Sequence, residues 1–175
     1  MDFAALDVRM QSYIDGELLG CIATLVLNGT DIVHSARHGY MSVEDKRPLR
    51  EDAIFRMASS TKLVTSVALM MLYEEGRFEL DDPLSDYLPK FADPNVFSAG
   101  AESAADVKRT AGPILMRHVL SHSAGLSYGF IEPESLVDQA YGHAGVNGVG
   151  MGDMTLEALC DQLADLPLAY EPGTS

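Results

Sequence analysis

Phe55-Arg56-Met57-Ala58-Ser59-Ser60-Thr61-Lys62 is the stretch from which the rest of the chain can be ordered. Ile54-Phe55-Arg56-Met57 reads as a short strand, and the small residues after it open a helix. Leu63, Val64, Val67, Ala68, Met70, Met71 and Leu72 are apolar on more than one face, which predicts a buried helix over 60–75 ended by Gly76. Ser59 and Lys62 form a Ser-x-x-Lys motif at the start of that helix. Three helical residues bring Lys62 nearly onto the face of Ser59, one turn along, within reach of its hydroxyl. A serine hydroxyl is a poor nucleophile at neutral pH and needs a base. Burial beside a helix amino terminus disfavours a charged ammonium, which allows a lysine to accept that proton. The same backbone N–H groups can stabilise an oxyanion. The plainer alternative makes Ser59 a helix cap and Lys62 a surface residue. With fourteen serines and four lysines in the chain, about 0.3 such motifs arise by chance, so placement between strand and helix carries more weight than the four letters.

Upstream, Phe3, Leu6, Met10 and Tyr13 recur at helical steps and predict an opening amphipathic helix. Residues 21–27 and 31–37 read as the strands of a β-hairpin, with Asn28-Gly29 supplying two positive-φ residues at its turn. Downstream, Asp81-Asp82-Pro83 caps a brief helix that runs to Leu88 before Pro89. Residues 92–111 are small, polar and broken by Pro94 and Gly100, as expected of an exposed excursion. A helix over 114–120, a loop over 121–129, a glycine-rich loop over 141–152 and a helix starting at Thr155 complete the reading. The last six residues, Tyr170-Glu171-Pro172-Gly173-Thr174-Ser175, form a turn-prone segment that leads to no further element, as expected of a portion of a longer protein.

The chain of 175 residues is 47% hydrophobic and 22% charged, enough apolar surface for a core. Twenty-six acidic against twelve basic residues give a net charge of −14. That field repels phosphate backbones and anionic membranes and argues against nucleic-acid binding. Cys21 and Cys160 make no Cys-x-x-Cys pair, so neither a zinc ribbon nor a disulfide scaffold is expected. No apolar run approaches membrane-span length, and no export signal opens the sequence, so cytoplasmic location is expected.

The segment 55–62 is followed by Glu74-Glu75-Gly76-Arg77-Phe78-Glu79-Leu80-Asp81-Asp82-Pro83-Leu84 and Tyr87-Leu88-Pro89. Further on come His118-Val119-Leu120-Ser121-His122-Ser123-Ala124-Gly125-Leu126 and Glu171-Pro172-Gly173-Thr174-Ser175. In that order these blocks closely resemble the serine β-lactamase and penicillin-binding-protein superfamily, above all the class C β-lactamase-like (family VIII) carboxylesterases. The resemblance implies an α+β, β-lactamase/transpeptidase-like fold, in which an antiparallel sheet with flanking helices packs on a mainly helical domain. Residues 1–58 would supply a helix and hairpin to the sheet domain, and 59–172 the helical domain. The remaining strands would lie in a C-terminal portion absent from this chain. It further implies a serine hydrolase that acts through an acyl-enzyme, with Ser59 as nucleophile, Lys62 as proton relay and Tyr128 lining the acyl pocket. The substrate would be a small ester or, as in β-lactams, an amide; no cofactor or metal is implied. An acyltransferase, a β-lactamase or D-Ala-D-Ala peptidase, and a non-catalytic binding or assembly subunit are the alternatives. The family's third catalytic residue, a tyrosine, follows the Pro-Gly-Thr-Ser segment, beyond Ser175; none of the seven tyrosines here stands two before an asparagine.

Two rival motifs are weaker. Gly125-Leu126-Ser127-Tyr128-Gly129 fits the Gly-x-Ser-x-Gly elbow of α/β-hydrolases and would make Ser127 the nucleophile, but neither flank reads as the strand and helix that elbow requires. His118 and His122, four apart, lack a metal site's Glu and third ligand, so capping or packing is expected of them. His34 and His38 are expected at a core edge or in solvent, and His143, among glycines, has no evident partner.

Overall fold

The computed structural model describes residues 2–146 and 154–174. It divides into two compact units, Met1–Ser59 and Ser60–Ser175.

The first unit is a helix on a small sheet. Helix α1 (Ala4–Asp15) is followed by strands β1 (Cys21–Asn28), β2 (Asp31–Ser42) and β3 (Arg47–Pro48) in antiparallel order β1-β2-β3. The hairpin forms as expected, but its turn is Gly29-Thr30, because Asn28 already pairs with Asp31. Only Gly29 takes a positive φ (61°), so one left-handed residue is needed rather than two. The register slips between Val26 and Leu27, which pair with His34 and Ile32, so Val33 is bulged out. His34 and His38 point back at α1. The Asp7 carboxylate lies 3.1 Å from His34 Nε2 and 3.5 Å from His38 Nε2, and Phe3 stacks on the His34 ring at 4.7 Å. Residues 54–57 form no strand. A strand needs a neighbour to complete its ladder, and no described strand pairs with them; Ile54 is 99% exposed.

The second unit opens with α2 (Thr61–Glu74), reached through a single 3-10 turn at Ala58–Ser60. It ends as its glycine suggests, with Gly76 N–H bonded to Tyr73 O and Arg77 N–H to Leu72 O, the paired bonds of a Schellman motif. Burial of this helix is not observed. Leu63, Val64, Val67, Met71 and Leu72 are exposed, and only Leu69 and Tyr73 pack on the core. The described residues offer nothing to cover its other faces. Asp82 caps a turn rather than a helix, its carboxylate taking the Glu79 N–H at 2.8 Å and the Tyr87 hydroxyl at 2.7 Å. Donating to that carboxylate pushes the Tyr87 phenol up to about 12. Pro89 starts a 3-10 turn, Pro89–Ala92, as well as ending the one before it at Leu84–Asp86.

The stretch expected to be an exposed excursion contributes to the core. Strands β4 (Asn95–Phe97) and β5 (Val107–Arg109) form an antiparallel pair, and Val96 is 0% exposed. Its other edge takes residue 168: Leu168 N–H donates to Asn95 O at 2.8 Å, and Phe97 N–H to Leu168 O at 3.0 Å. Val96, Leu168, Phe78, Leu84, Phe91 and Ile114 make the main core. Helices α3 (Met116–Leu120), α4 (Leu136–His143) and α5 (Leu156–Ala164) complete the unit. Thr155 caps α5 through the Ala158 N–H at 3.1 Å, as read from the sequence. Tyr141 is helical, in α4, and not in a loop; of the expected glycine-rich loop, residues 147–152 lie outside the described residues. Tyr141, Val137 and Val146 form a second, smaller cluster, which Leu159 and Leu163 abut.

The turn-prone final segment is docked. Ala169 N–H bonds Gly125 O, Gly173 N–H bonds Ser123 O, and Glu171 holds Lys108 and the Ala111 N–H, each at 2.9 Å. Those two contacts, the Lys108 ammonium first, keep the Glu171 carboxyl below its ordinary value. Gly125 has φ 85°, and a Cβ there would lie 2.5 Å from Tyr170 O, so only glycine lets residues 168–173 run this close.

Candidate active site

Ser59 sits in the middle of the 3-10 turn Ala58–Ser60, which leads straight into α2. Ala58, just before it, has φ 45°, a left-handed conformation that costs a non-glycine residue energy and marks a sharp change of chain direction. The N-cap position of α2 belongs to Ser60, whose side chain makes no cap bond. Lys62 is the second residue of α2. Its ammonium lies 5.5 Å from the centroid of the Tyr128 ring, a cation–π arrangement. Residues 62, 65, 66 and 69 share one face of the helix. With Val119, Leu120 and His122 they line a cleft of about 220 Å³, with hydroxyls and a cation above an apolar floor. Two residues named from the sequence, Lys62 and Tyr128, thus meet.

Ser127 is not placed to be a nucleophile. No strand precedes it and no helix follows until Leu136, so the strand-turn-helix frame of an elbow is missing. Its hydroxyl donates to Asp138, and its N–H donates to the Tyr141 hydroxyl at 3.3 Å. Asp138 makes a poor general base: burial pushes its carboxyl up, but bonds from Ser127 and from the Glu132, Gly129 and Ile131 N–H groups outweigh that and hold it below the ordinary value. His118 caps, its Nδ1 accepting the Leu115 N–H at 3.1 Å. His122 has φ 59°, and its carbonyl accepts the Tyr170 hydroxyl at 3.3 Å. Among the described residues no three His, Cys, Asp or Glu side chains converge as metal ligands, and both cysteines are free thiols. No described helix is long and apolar enough to cross a membrane.

Sequence reasoning missed Asp138 and Tyr141. A signal was present, since Ser135-Leu136-Val137-Asp138 has the Ser-x-x-acid spacing of a helix start. In the structure Ser135 Oγ accepts the Asp138 N–H at 3.3 Å.

The profile of the beta-lactamase family matches residues 10–175. The chain belongs to the beta-lactamase family. Among relatives of this beta-lactamase-family chain, esterase EstB of Burkholderia gladioli is 30% identical over 99% of the chain and 42% of its own length. Acyltransferase calJ of Penicillium decumbens is 34% identical over 86% of the chain and 34% of its own length. Among solved structures, "EstCE1, a hydrolase with promiscuous acyltransferase activity" superposes with a TM-score of 0.83 at 30% identity, over 97% of this chain and 41% of that one. The β-lactamase/transpeptidase-like fold is thereby established, here as the N-terminal part of larger relatives. The beta-lactamase-family chain spans about two fifths of the length of EstB and EstCE1.

Proposed function

We propose that residues 1–175 carry the nucleophile half of an acyl-transfer site in a serine carboxylesterase. The observation that carries the reading is a Ser-x-x-Lys motif on the turn opening α2, with Lys62 facing both Tyr128 and a small cleft. Ser59 Oγ forms a bond to the ester carbonyl carbon while its proton passes to the Lys62 amine. The alkoxy C–O bond then breaks, and Lys62 returns the proton to the departing alcohol. Water repeats the sequence on the acyl-enzyme. Backbone N–H groups at the start of α2 face the developing oxyanion, and Tyr128 contacts the acyl group. The third proton-handling residue, a tyrosine, lies in the C-terminal portion of the longer polypeptide. Residues 1–58 belong to the sheet domain of that protein and residues 59–172 to its helical domain. The net charge of −14 supports a small-molecule substrate over nucleic acid or anionic membrane, and a cytoplasmic location fits the same reading.

An acyltransferase, in which an alcohol or amine replaces water, is the second reading. It is supported by the 34% identity to an acyltransferase and by the promiscuous acyltransferase activity of EstCE1. The deciding experiment is the intact mass of the natural polypeptide before and after a fluorophosphonate. One phosphonyl adduct, lost in Ser59→Ala, is expected. An adduct that survives Ser59→Ala, or none on the full-length protein, overturns the assignment, and the second outcome favours a non-catalytic relative. Partitioning of a trapped acyl group between water and added alcohol separates esterase from transferase.

A further inference from the structure

Asp138 is 2% exposed and takes no part in the proposed proton transfers. From the first turn of α4 its carboxylate reaches back to the loop before the helix. There it accepts the Ser127 hydroxyl and the Glu132 N–H at 2.7 Å. Donors from both ends of one six-residue arc, 127–132, thus converge on a single side chain. Each neutral donor to a buried carboxylate makes a charge-assisted bond, stronger than a bond between neutral groups. Tyr141, 0% exposed, holds the same arc from the other side through the Ser127 N–H.

Between these anchors the arc presents apolar side chains outward. Tyr128, Phe130 and Ile131 are exposed, the Tyr128 and Phe130 rings lie 5.5 Å apart, and the face of Tyr128 lies over the Lys62 ammonium. A segment that contains glycine and turns its large apolar residues to solvent has little of its own to order it.

We propose that Asp138 is a positioning residue: it fixes residues 127–132 so that Tyr128 and Phe130 form an apolar rim beside Lys62, and that rim selects substrates with a bulky apolar acyl group. The proposal rests on acyl transfer at Ser59 and adds to it the substrate class and the residue that sets it.

The test is steady-state kinetics of the full-length natural polypeptide on p-nitrophenyl acetate and p-nitrophenyl octanoate. Wild type would be compared with Asp138→Asn, Tyr128→Ala and the double variant. An Asn amide keeps the shape but turns an NH2 group toward N–H donors. In Asp138→Asn, KM for the octanoate should rise about tenfold with kcat within about threefold, and the acetate should barely respond. The double variant should lose less than the sum of the two single losses, because residues acting as one unit are not additive. Ser127→Ala removes one of these donors and should shift the octanoate KM in the same direction by less, which gives a readout should Asp138→Asn fail to fold. Additive effects, equal losses on both esters, or an unchanged octanoate KM in Ser127→Ala and Asp138→Asn would overturn the proposal. Ser59→Ala stands as the separate control: turnover that survives it removes the catalytic reading, whereas the octanoate KM cycle still decides whether Asp138 acts through Tyr128.

Discussion

Helix α2, with Leu63, Val64, Val67, Met71 and Leu72 along its 14 residues, buries none of them, whereas α4, with 8 residues, buries Val137, Asp138 and Tyr141. The more apolar helix is the more exposed. Hydrophobic stabilisation scales with area removed from water, and area is removed only where something covers it. α4 lies among Val146, Phe97, Leu159 and Leu163, while among the described residues α2 packs Leu69 and Tyr73 on the core. The comparison also shows what takes a charge inside. Asp138 can be buried because the Ser127 hydroxyl and the Glu132 N–H meet its two oxygens, which offsets the hydration it loses.

The sharpest way to break this contrast is Tyr141→Ala. It removes a fully buried ring and should destabilise the second unit by about 3–5 kcal/mol in denaturant unfolding; a loss under about 1 kcal/mol would mean that α4 is not packed as described. Next in size is acid. The Asp138 carboxyl is lower in the folded chain than in the unfolded one, so its contribution is complete above the ordinary aspartate range and is lost as pH falls through the lowered folded value. A pH titration of stability should show a flatter acid limb in Asp138→Asn. Smallest is Val67→Ser on the open face of α2, expected to cost under about 0.5 kcal/mol in the 175-residue chain. The same substitution in a longer polypeptide that covers α2 should cost several times more, which turns the contrast between the helices into a measurement of that cover.

Much of the architecture could be read locally. The opening helix, the hairpin strands, the Schellman end of α2 and the Thr155 cap each depend on a few neighbouring residues whose chemistry admits one main solution. The errors have a common source. The turn of the hairpin moved by one residue because a bulge at Val33 sets the register, and nothing between Asn28 and Asp31 announces it. Val96 looked exposed among small and polar neighbours, yet Leu168, seventy-two positions away, supplies the second edge that buries it. The strand expected at residues 54–57 found no described neighbour, and burial of α2 found no cover. At the candidate site, Ser59 and Lys62 were named from a spacing of three at a helix start, but the structure puts Ser59 in the 3-10 turn before α2 and Lys62 at the second position of the helix, so helical arithmetic does not span the pair. Tyr128 was named from a resemblance and lies beside Lys62 in the structure. Asp138 was legible only as part of a helix start; its bonds to an arc six to eleven residues earlier were not.

By itself, then, the sequence determined the spacing of the motif, the family, and a net charge that repels polyanions, since each depends on residue type and short spacing. Only the tertiary structure decided which apolar faces are covered, which carboxylate is buried and charged, and which loop lies over Lys62. Those are outcomes of contacts between distant segments, and solvation, unlike helical spacing, depends on everything that surrounds a group.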